Sequence, residues 1–289
     1  MFVALAACLL LVAARVSAQR QASNDLNAPV EPGAKATDLD LIRMVLPDAV
    51  ENDEGAAVAH KTIDLRDLFD HDEPGAYEAD IKLESFVKLS LRDGVHKDWC
   101  YLLNLNSAGD DSPFTWGETH VLALFRLDPQ PRLLDAAEVQ ADRFAELWSE
   151  HSVLEIGPQR DALIIANSHF NSSEGFLQLA VIAPEQDKLA DIYDYGGVEH
   201  SNACGYNFAM SPTFTTIKQG RATHYPLRLR VKVELMADDE ACEHRRRRRN
   251  VTRYYQAPLV WQAKQHKYVE SGHGLDWVDR FENAYLNQP

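Results

Sequence analysis

A two-residue alternation of hydrophobic and polar positions begins near Tyr77 and characterises the middle of the chain. In residues 79–83 and 87–91, every second side chain is hydrophobic and its neighbours are charged or hydroxylated. Successive side chains of a strand point to opposite faces of a sheet, so this period predicts strands with one buried face. We interpret the two runs as a half-buried strand pair.

Strand-like runs recur through the rest of the chain, separated by residues that favour turns. Further runs occupy residues 101–105, 120–127, 152–156, 162–166, 176–182, 189–193, 227–235 and 254–262. Gly157 with Pro158, the segment 171–175, and Gly196 with Gly197 supply turn chemistry between them. Short strands joined by brief loops predict a mainly β fold: an antiparallel meander that forms a sandwich, a barrel or a propeller-like stack.

Helical periodicity is confined to a few segments. Residues 136–148 and 275–286 have helix-like composition, and residues 38–46 form a further short helical stretch that ends before a proline. In the segment 275–286, the side chains of Leu275, Val278 and Phe281 share one helical face. We expect this short C-terminal helix to cover an otherwise open sheet edge.

Residues 1–18 have the pattern of a cleavable export signal. The uncharged apolar run 2–14 is shorter than the roughly 20 residues of a bilayer span, and the small residues at 16–18 suit a signal peptidase. This pattern predicts export to the periplasm or the extracellular space. We therefore divide the chain into a signal peptide (1–18), a flexible acidic leader (19–59) and a single β-rich domain (60–289).

Composition and charge narrow the possible functions. Hydrophobic residues make up 45% of the 289 residues, which predicts a sizeable buried core. The net charge of −15 argues against general nucleic-acid binding, because that depends on cationic side chains that neutralise phosphates. No second apolar run approaches bilayer length, so we expect no transmembrane span. The sequence also has no glycine-rich phosphate loop, which argues against nucleotide-binding α/β folds.

A set of polar residues follows the apolar run 162–166. Its members are Asn167, Ser168, His169 and Asn171. Their amide and hydroxyl groups could bind a ligand, or His169 could act as the general base of a hydrolase. The same residues could instead satisfy the backbone at a hairpin whose turn is 171–175. Trp116 is a further candidate contact, because it follows Pro113 in a loop where its ring is expected to be exposed.

Five consecutive arginines follow the acidic segment 238–243. They are Arg245, Arg246, Arg247, Arg248 and Arg249. Such a run is typical of a solvated hairpin tip. It could also contact an anionic envelope surface, either phosphorylated lipid or acidic polysaccharide, because local charge acts within a Debye length of ~8 to 10 Å whatever the net charge.

Metal and cofactor motifs do not occur in the sequence. The 11 histidines show no HExxH, HxH or HxxxH spacing, so neither a metal nor a cofactor is predicted. The patterns together predict an exported β-rich protein that acts as a non-catalytic binding or interaction domain, with an envelope component, an extracellular protein or a glycan as its partner. Two alternatives remain open: a periplasmic or secreted hydrolase that uses His169, and a structural envelope component.

The cysteines give a first testable prediction. Export removes Cys8 with the signal and leaves Cys100, Cys204 and Cys242 in an oxidising compartment. Cys204 and Cys242 lie in polar, loop-like sequence and are predicted to form a disulfide, whereas Cys100 opens an apolar run and is predicted to be buried and free. Mass spectrometry of mature protein alkylated after unfolding should detect one labelled cysteine. Three labelled cysteines would contradict the pairing.

Overall fold

The structure of the chain is a computed structural model that describes residues 21–22, 25–52, 56–69, 81–107, 118–140, 144–148, 152–170, 174–203, 206–220, 222–237 and 250–285. These residues divide into two compact units, whereas the sequence predicts a single β-rich domain. The first unit holds the described residues up to Leu91 together with 96–139 and 186–189. The second unit holds 92–95, 140–185 and the described residues from Ala190 onward. Each unit has its own hydrophobic core, which is the physical reason for the division.

An eight-stranded sheet forms the body of the first unit. Its strands are β1 (Gln21–Ala22), β2 (Val50–Glu51), β3 (Ala57–Ala59), β4 (Arg66–Asp67), β5 (Ile81–Arg92), β6 (Lys97–Ser107), β7 (Glu118–Arg126) and β8 (Arg132–Glu138). Their order is β2-β3-β5-β6-β7-β8-β4, and β1 also pairs with β5. The sheet is antiparallel except where the short β4 pairs with β8 in parallel.

A short helix, α1 (Asp38–Ile42), shares the core of this sheet. The Asp40 backbone N–H donates to Thr37 Oγ1 (3.2 Å), and the Thr37 N–H donates to the Asp40 carboxylate (2.9 Å), a capping box that lowers the pKa of Asp40. The hydrophobic side chains of α1 and the turn after it are buried; they include Leu41, Ile42, Val45 and Leu46. Residues 25–52, which belong to the predicted flexible leader, therefore contribute to the first core.

One buried ion pair connects α1 to the sheet. Lys88 Nζ on β5 lies 2.9 Å from Asp38 Oδ2, and the Tyr101 hydroxyl also donates to the Asp38 carboxylate. The side chains of Lys88 and Asp38 are 4% and 0% exposed. Burial and then the hydrogen bond to Asp38 raise the pKa of Tyr101. Because a buried charge is costly without its partner, this pair fixes α1 on β5.

The predicted strand pair at 79–83 and 87–91 is wrong, because the described part of these runs forms one strand, β5. Ile81, Leu83 and Phe86 all belong to the first core. The alternation therefore changes phase at Glu84 and Ser85, which are both exposed. An extra residue of this kind is typical of a β-bulge, and it makes one strand look like two in the sequence.

The helix predicted at 136–148 is also wrong. The described residues of this segment form the end of β8 and the strand β9 (Phe144–Leu147). Buried side chains recur there at two-residue spacing, first Ala137 and Val139, then Ala145 and Leu147. Alanine, glutamate and leucine favour helix in isolation, but this preference is weak, and pairing with β7 and β11 overrides it.

A nine-stranded sheet forms the body of the second unit. Besides β9, its strands are β10 (Val153–Gly157), β11 (Arg160–Phe170), β12 (Glu174–Glu185), β13 (Lys188–Ala203), β14 (Tyr206–Thr216), β15 (Leu227–Ala237), β16 (Val251–Gln262) and β17 (Lys267–Glu270). Strands β10 to β17 follow one another in the sheet as they do in the chain, and β9 pairs with β11. This order is the antiparallel meander that the sequence predicts.

The second sheet curls around a single core. The Thr216 hydroxyl donates to the carbonyl of Glu155 (2.6 Å), and the Tyr225 N–H donates to the carbonyl of Ile156 (2.6 Å). The connection between β14 and β15 thus lies against β10, at the far end of the meander. The predicted mainly β fold is confirmed in a sandwich-like form, and neither sheet closes into a barrel within the described strands.

The predicted C-terminal helix is confirmed as α2 (Asp276–Tyr285). Leu275, Val278 and Phe281 enter the core of the second unit, where the ring of Phe281 lies 6.3 Å from that of Phe208. In the described part of the chain, neither helix has the length and hydropathy needed to cross a membrane.

Cys100 lies on β6, where it is fully buried and free, as the sequence predicts. Burial and the charge of Asp98 raise the pKa of its thiol. Cys8, Cys204 and Cys242 lie outside the described residues, so the Cys204–Cys242 disulfide stays a prediction.

The ion pair between Asp38 and Lys88 can be tested by substitution. Asp38→Asn keeps the size of the side chain but leaves the buried Lys88 charge without a counter-charge, so it should lower the free energy of unfolding by about 3 to 5 kcal/mol. Asp40→Ala, which removes only the exposed helix cap, should cost about 1 kcal/mol. Urea-induced unfolding measures both values. Equal losses for the two variants would contradict the role of the pair.

Candidate functional site

Three residues of the polar set predicted after 162–166, Asn167, Ser168 and His169, lie inside a strand rather than in a loop beyond it. Strand β11 continues to Phe170, with β12 paired on one side and β9 on the other. Asn167 is 1% exposed, and the ring of His169 stands edge-on to that of Phe176 at 6.4 Å. Alternation along β11 places Ser168 on the opposite face from its two neighbours, so the predicted residues do not all face one ligand.

The remaining predicted contacts lie outside the described residues. They are Asn171, Trp116, Arg245, Arg246, Arg247, Arg248 and Arg249. The arginine run belongs to the chain between the adjacent strands β15 and β16. Its predicted contact with an anionic surface stays a prediction.

Strand β15 separates apolar from cationic side chains. Leu229, Val231 and Val233 are fully buried in the second core. The alternate residues Arg228, Arg230 and Lys232 therefore point away from that core. Both arginines are exposed, and the Lys232 side chain is 38% exposed.

Strands β14 and β16 extend this surface on both sides. Residues that pair directly across strands share one face. The register therefore defines three rows: Ser211, Lys232 and Tyr254; Thr213, Arg230 and Gln256; and Thr215, Arg228 and Pro258. We name these nine residues the cationic face. Each row places a hydroxyl on β14 beside a cation on β15 and an aromatic, amide or proline side chain on β16.

The three cations of the cationic face differ in their ion pairing. Within the described residues, Arg228 and Arg230 form no ion pair, whereas Lys232 Nζ lies 2.7 Å from Glu234, whose hydrogen bond raises the pKa of the lysine. The Arg230 guanidinium lies 4.2 Å from the centre of the Tyr254 ring, a cation–π contact, and Tyr254 is 56% exposed. This local charge lies on a protein whose net charge is −15.

A partly buried carboxylate–imidazole pair lies elsewhere in the second unit. Glu185 Oε1 is 3.2 Å from His224 Nε2 and 3.3 Å from Arg160 Nη1. The His224 ring stacks on Trp261 at 3.8 Å, and its side chain is 7% exposed. A carboxylate can orient a histidine for acid–base catalysis, but here burial and stacking favour a structural contact that ties the ends of β12, β11 and β16 together. The residues are far apart in the chain, so no local spacing could have revealed the pair.

Two aspartates of β13 lie beside Lys267. Lys267 Nζ is 2.8 Å from Asp191 Oδ2, and Asp191 is 10% exposed. Ile192 and Tyr195 both enter the core, so strict alternation is broken between them and Asp194 can approach Asp191. Desolvation, followed by the hydrogen bond to Asp191 and its negative charge, raises the pKa of Asp194 to about 7. In the described part of the chain, no group of three or more His, Cys, Asp or Glu residues is placed to hold a metal ion.

These features define a mainly β protein of two units, with the cationic face on the second unit. No protein-family model, curated protein or solved structure matches the chain. Functional inference therefore depends on the geometry and charge of the face itself.

The raised pKa of Asp194 predicts a pH-dependent stability. The pKa of an aspartate in the unfolded chain is near 4, whereas that of Asp194 in the folded protein is raised to about 7. The folded state therefore binds more protons between these values, and the free energy of unfolding should fall as the pH rises from about 4 to 7. Urea unfolding at several pH values should show that the free energy of unfolding falls less with rising pH for Asp194→Asn than for the natural protein. Asp64→Asn, on the surface of the first unit, should leave the fall unchanged, and equal falls for all three proteins would contradict the prediction.

Proposed function

We propose that this protein is an exported, non-catalytic binding domain whose cationic face contacts an anionic component of the cell envelope or its surroundings. The observation that carries the proposal is the column of Arg228, Arg230 and Lys232 along β15, on one exposed face of an acidic protein. Two of these cations form no ion pair with a described carboxylate, so an external anion can pair with them without displacing one.

The shape of the cationic face favours binding over catalysis. Its side chains project in parallel from three adjacent strands, so their functional groups are spread over a surface instead of converging on one point. Catalysis requires groups that converge on a reacting atom, usually in a concave site. A spread of charges and hydroxyls suits recognition of an extended partner.

Export is the second part of the proposal and depends on the pattern of residues 1–18. An exported protein in the periplasm or outside the cell meets the anionic lipids and polysaccharides of the envelope. The location and the charge of the cationic face are thus consistent with one class of partner.

A hydrolase is the second candidate function. The partly buried pair of Glu185 and His224 favours it, because a carboxylate can orient an imidazole for acid–base catalysis. His169, the base predicted from the sequence, lies against Phe176. The test measures hydrolysis of envelope polymers by the natural protein and by the variants His169→Ala and His224→Ala. Hydrolysis by the natural protein that is lost in both variants, while both remain folded, would support a hydrolase over binding alone.

Binding to defined polyanions tests the main proposal. The mature protein should bind anionic phospholipid vesicles, an immobilised acidic polysaccharide, or both, and the affinity should fall as salt is added. Arg228→Ser with Arg230→Ser should weaken binding about tenfold, since two exposed ionic contacts of up to about 1 kcal/mol each are lost. Affinity would be measured by co-sedimentation and by elution in a salt gradient.

The matched control removes two positive charges from the second unit outside the cationic face. Lys264 and Arg280 are exposed residues of the second unit, and Arg280 lies on the Trp277 ring as Arg230 lies on Tyr254. Lys264→Ser with Arg280→Ser should leave the affinity unchanged. Replacing Arg245–Arg249 by serine tests the arginine run separately, and unchanged vesicle binding would remove that run from the interface. Absence of binding to every polyanion would contradict the proposed function.

A further inference from the structure

We propose that the cationic face binds an extended acidic polysaccharide whose sugars carry carboxylate groups. This inference rests on the proposed function and specifies the chemical class of the partner. Three features of the face support it: the spacing of its charges, the polar residues beside them, and the exposed ring of Tyr254.

The three cations are evenly spaced along β15. Arg228, Arg230 and Lys232 occupy every second position of one strand, so their backbone positions are about 7 Å apart and span about 14 Å. Parallel charges at regular intervals match an anionic polymer that repeats its charge. A single phosphate group would instead require donors that converge on one point. The planar guanidinium groups of the two arginines suit carboxylates, which they can bind through two hydrogen bonds.

Hydroxyl and amide groups flank the cations. Ser211, Thr213 and Thr215 lie directly across from them on β14, and Gln256 lies on the other side on β16. Adjacent strands are about 4.8 Å apart, so the three columns form a surface nearly 10 Å wide. Thr215 donates to the Arg228 carbonyl (3.4 Å) and can still accept, whereas the side chains of Ser211, Thr213 and Gln256 can both donate and accept hydrogen bonds, as the hydroxyl groups of sugars require.

Tyr254 supplies an apolar surface within this polar face. Its ring is held by Arg230 and remains 56% exposed. The C–H groups on one side of a sugar ring can lie on such an aromatic face, while the tyrosine hydroxyl stays available for a hydrogen bond. A purely electrostatic contact would not need this ring.

A lipid surface fits the cationic face less well. Proteins that lie on membranes bury hydrophobic side chains among the lipids in addition to their charges. Among the described residues of β15 and β16, the exposed large hydrophobic side chains besides Tyr254 are Met236 and Val260, which lie at opposite ends of this strand pair. The centre of the face carries hydroxyls, cations and an amide instead of an apolar cluster.

Calorimetry with defined sugars tests the inference. The probes are oligogalacturonates of two, four and eight sugars, and the eight-sugar chain with its carboxylates reduced to alcohols. Mature protein should bind the four- and eight-sugar chains at least about tenfold more tightly than the two-sugar chain, because a longer chain can contact more of the three cations at once. The reduced chain should lose most of the affinity.

Two variants separate the ring from the charges. Tyr254→Ala should weaken binding of the eight-sugar chain about fivefold without changing the salt dependence of that binding. Arg230→Ser should reduce both the affinity for this chain and its salt dependence. Trp277→Ala is the matched control, because Trp277 is 57% exposed and also carries an arginine. It should leave the affinity unchanged, and circular dichroism would confirm that each variant is folded.

The outcomes distinguish this inference from the proposed function. Binding to anionic vesicles without binding to any oligogalacturonate would overturn the polysaccharide assignment and leave the proposed function standing. Equal affinity for the acidic and the reduced chains would also overturn it. Absence of binding to vesicles and to all sugar chains would contradict both proposals.

Discussion

The two-residue alternation of β15 is the constraint on which the second unit depends. Within one strand, Leu229, Val231 and Val233 fill the core while Arg228 and Arg230 are presented to the outside. A slip of one residue in the pairing of β15 would bury the arginines and expose the leucine and valines. The same hydrophobic burial that fixes the register of the sheet therefore fixes the geometry of the cationic face.

Buried polar contacts complement this hydrophobic constraint in each unit. In the first unit, Asp38 and Lys88 join α1 to β5. In the second, Glu185 accepts a hydrogen bond from Arg160 at the start of β11 and lies 3.2 Å from His224 Nε2 in the connection between β14 and β15. Breaking such a pair leaves a desolvated group without a partner, so each contact selects one arrangement of the chain over others that would bury as much apolar surface.

The sequence predicts local features well because strands and amphipathic helices have periods that a short window reveals. The antiparallel meander and the face of α2 follow from such periods. The change of phase at Glu84 and Ser85 and the strand β9 do not, because pairing with other strands overrides the local pattern. The burial of Leu41 in the predicted leader also depends on a sheet that lies much later in the chain.

The candidate site likewise combines features that the sequence reveals with features that depend on strand pairing. The alternating cations of β15 are visible in the sequence, and considering their outward direction could have identified them as one column. Their neighbours Thr213 and Gln256 could not be identified in this way, because the register joins residues from three strands. By contrast, the contiguous polar residues around His169 are conspicuous in the sequence but are divided between two faces of β11.

The net charge of −15 is compatible with binding to an anion at the cationic face. At physiological ionic strength a charge acts over about 8 Å, so a bound polymer interacts mainly with the side chains directly beneath it. The acidic remainder of the surface repels the same polymer when it approaches elsewhere. Negative charge around a cationic face therefore restricts where and in which orientation a polyanion can bind, and specificity arises from the contrast between the two surfaces.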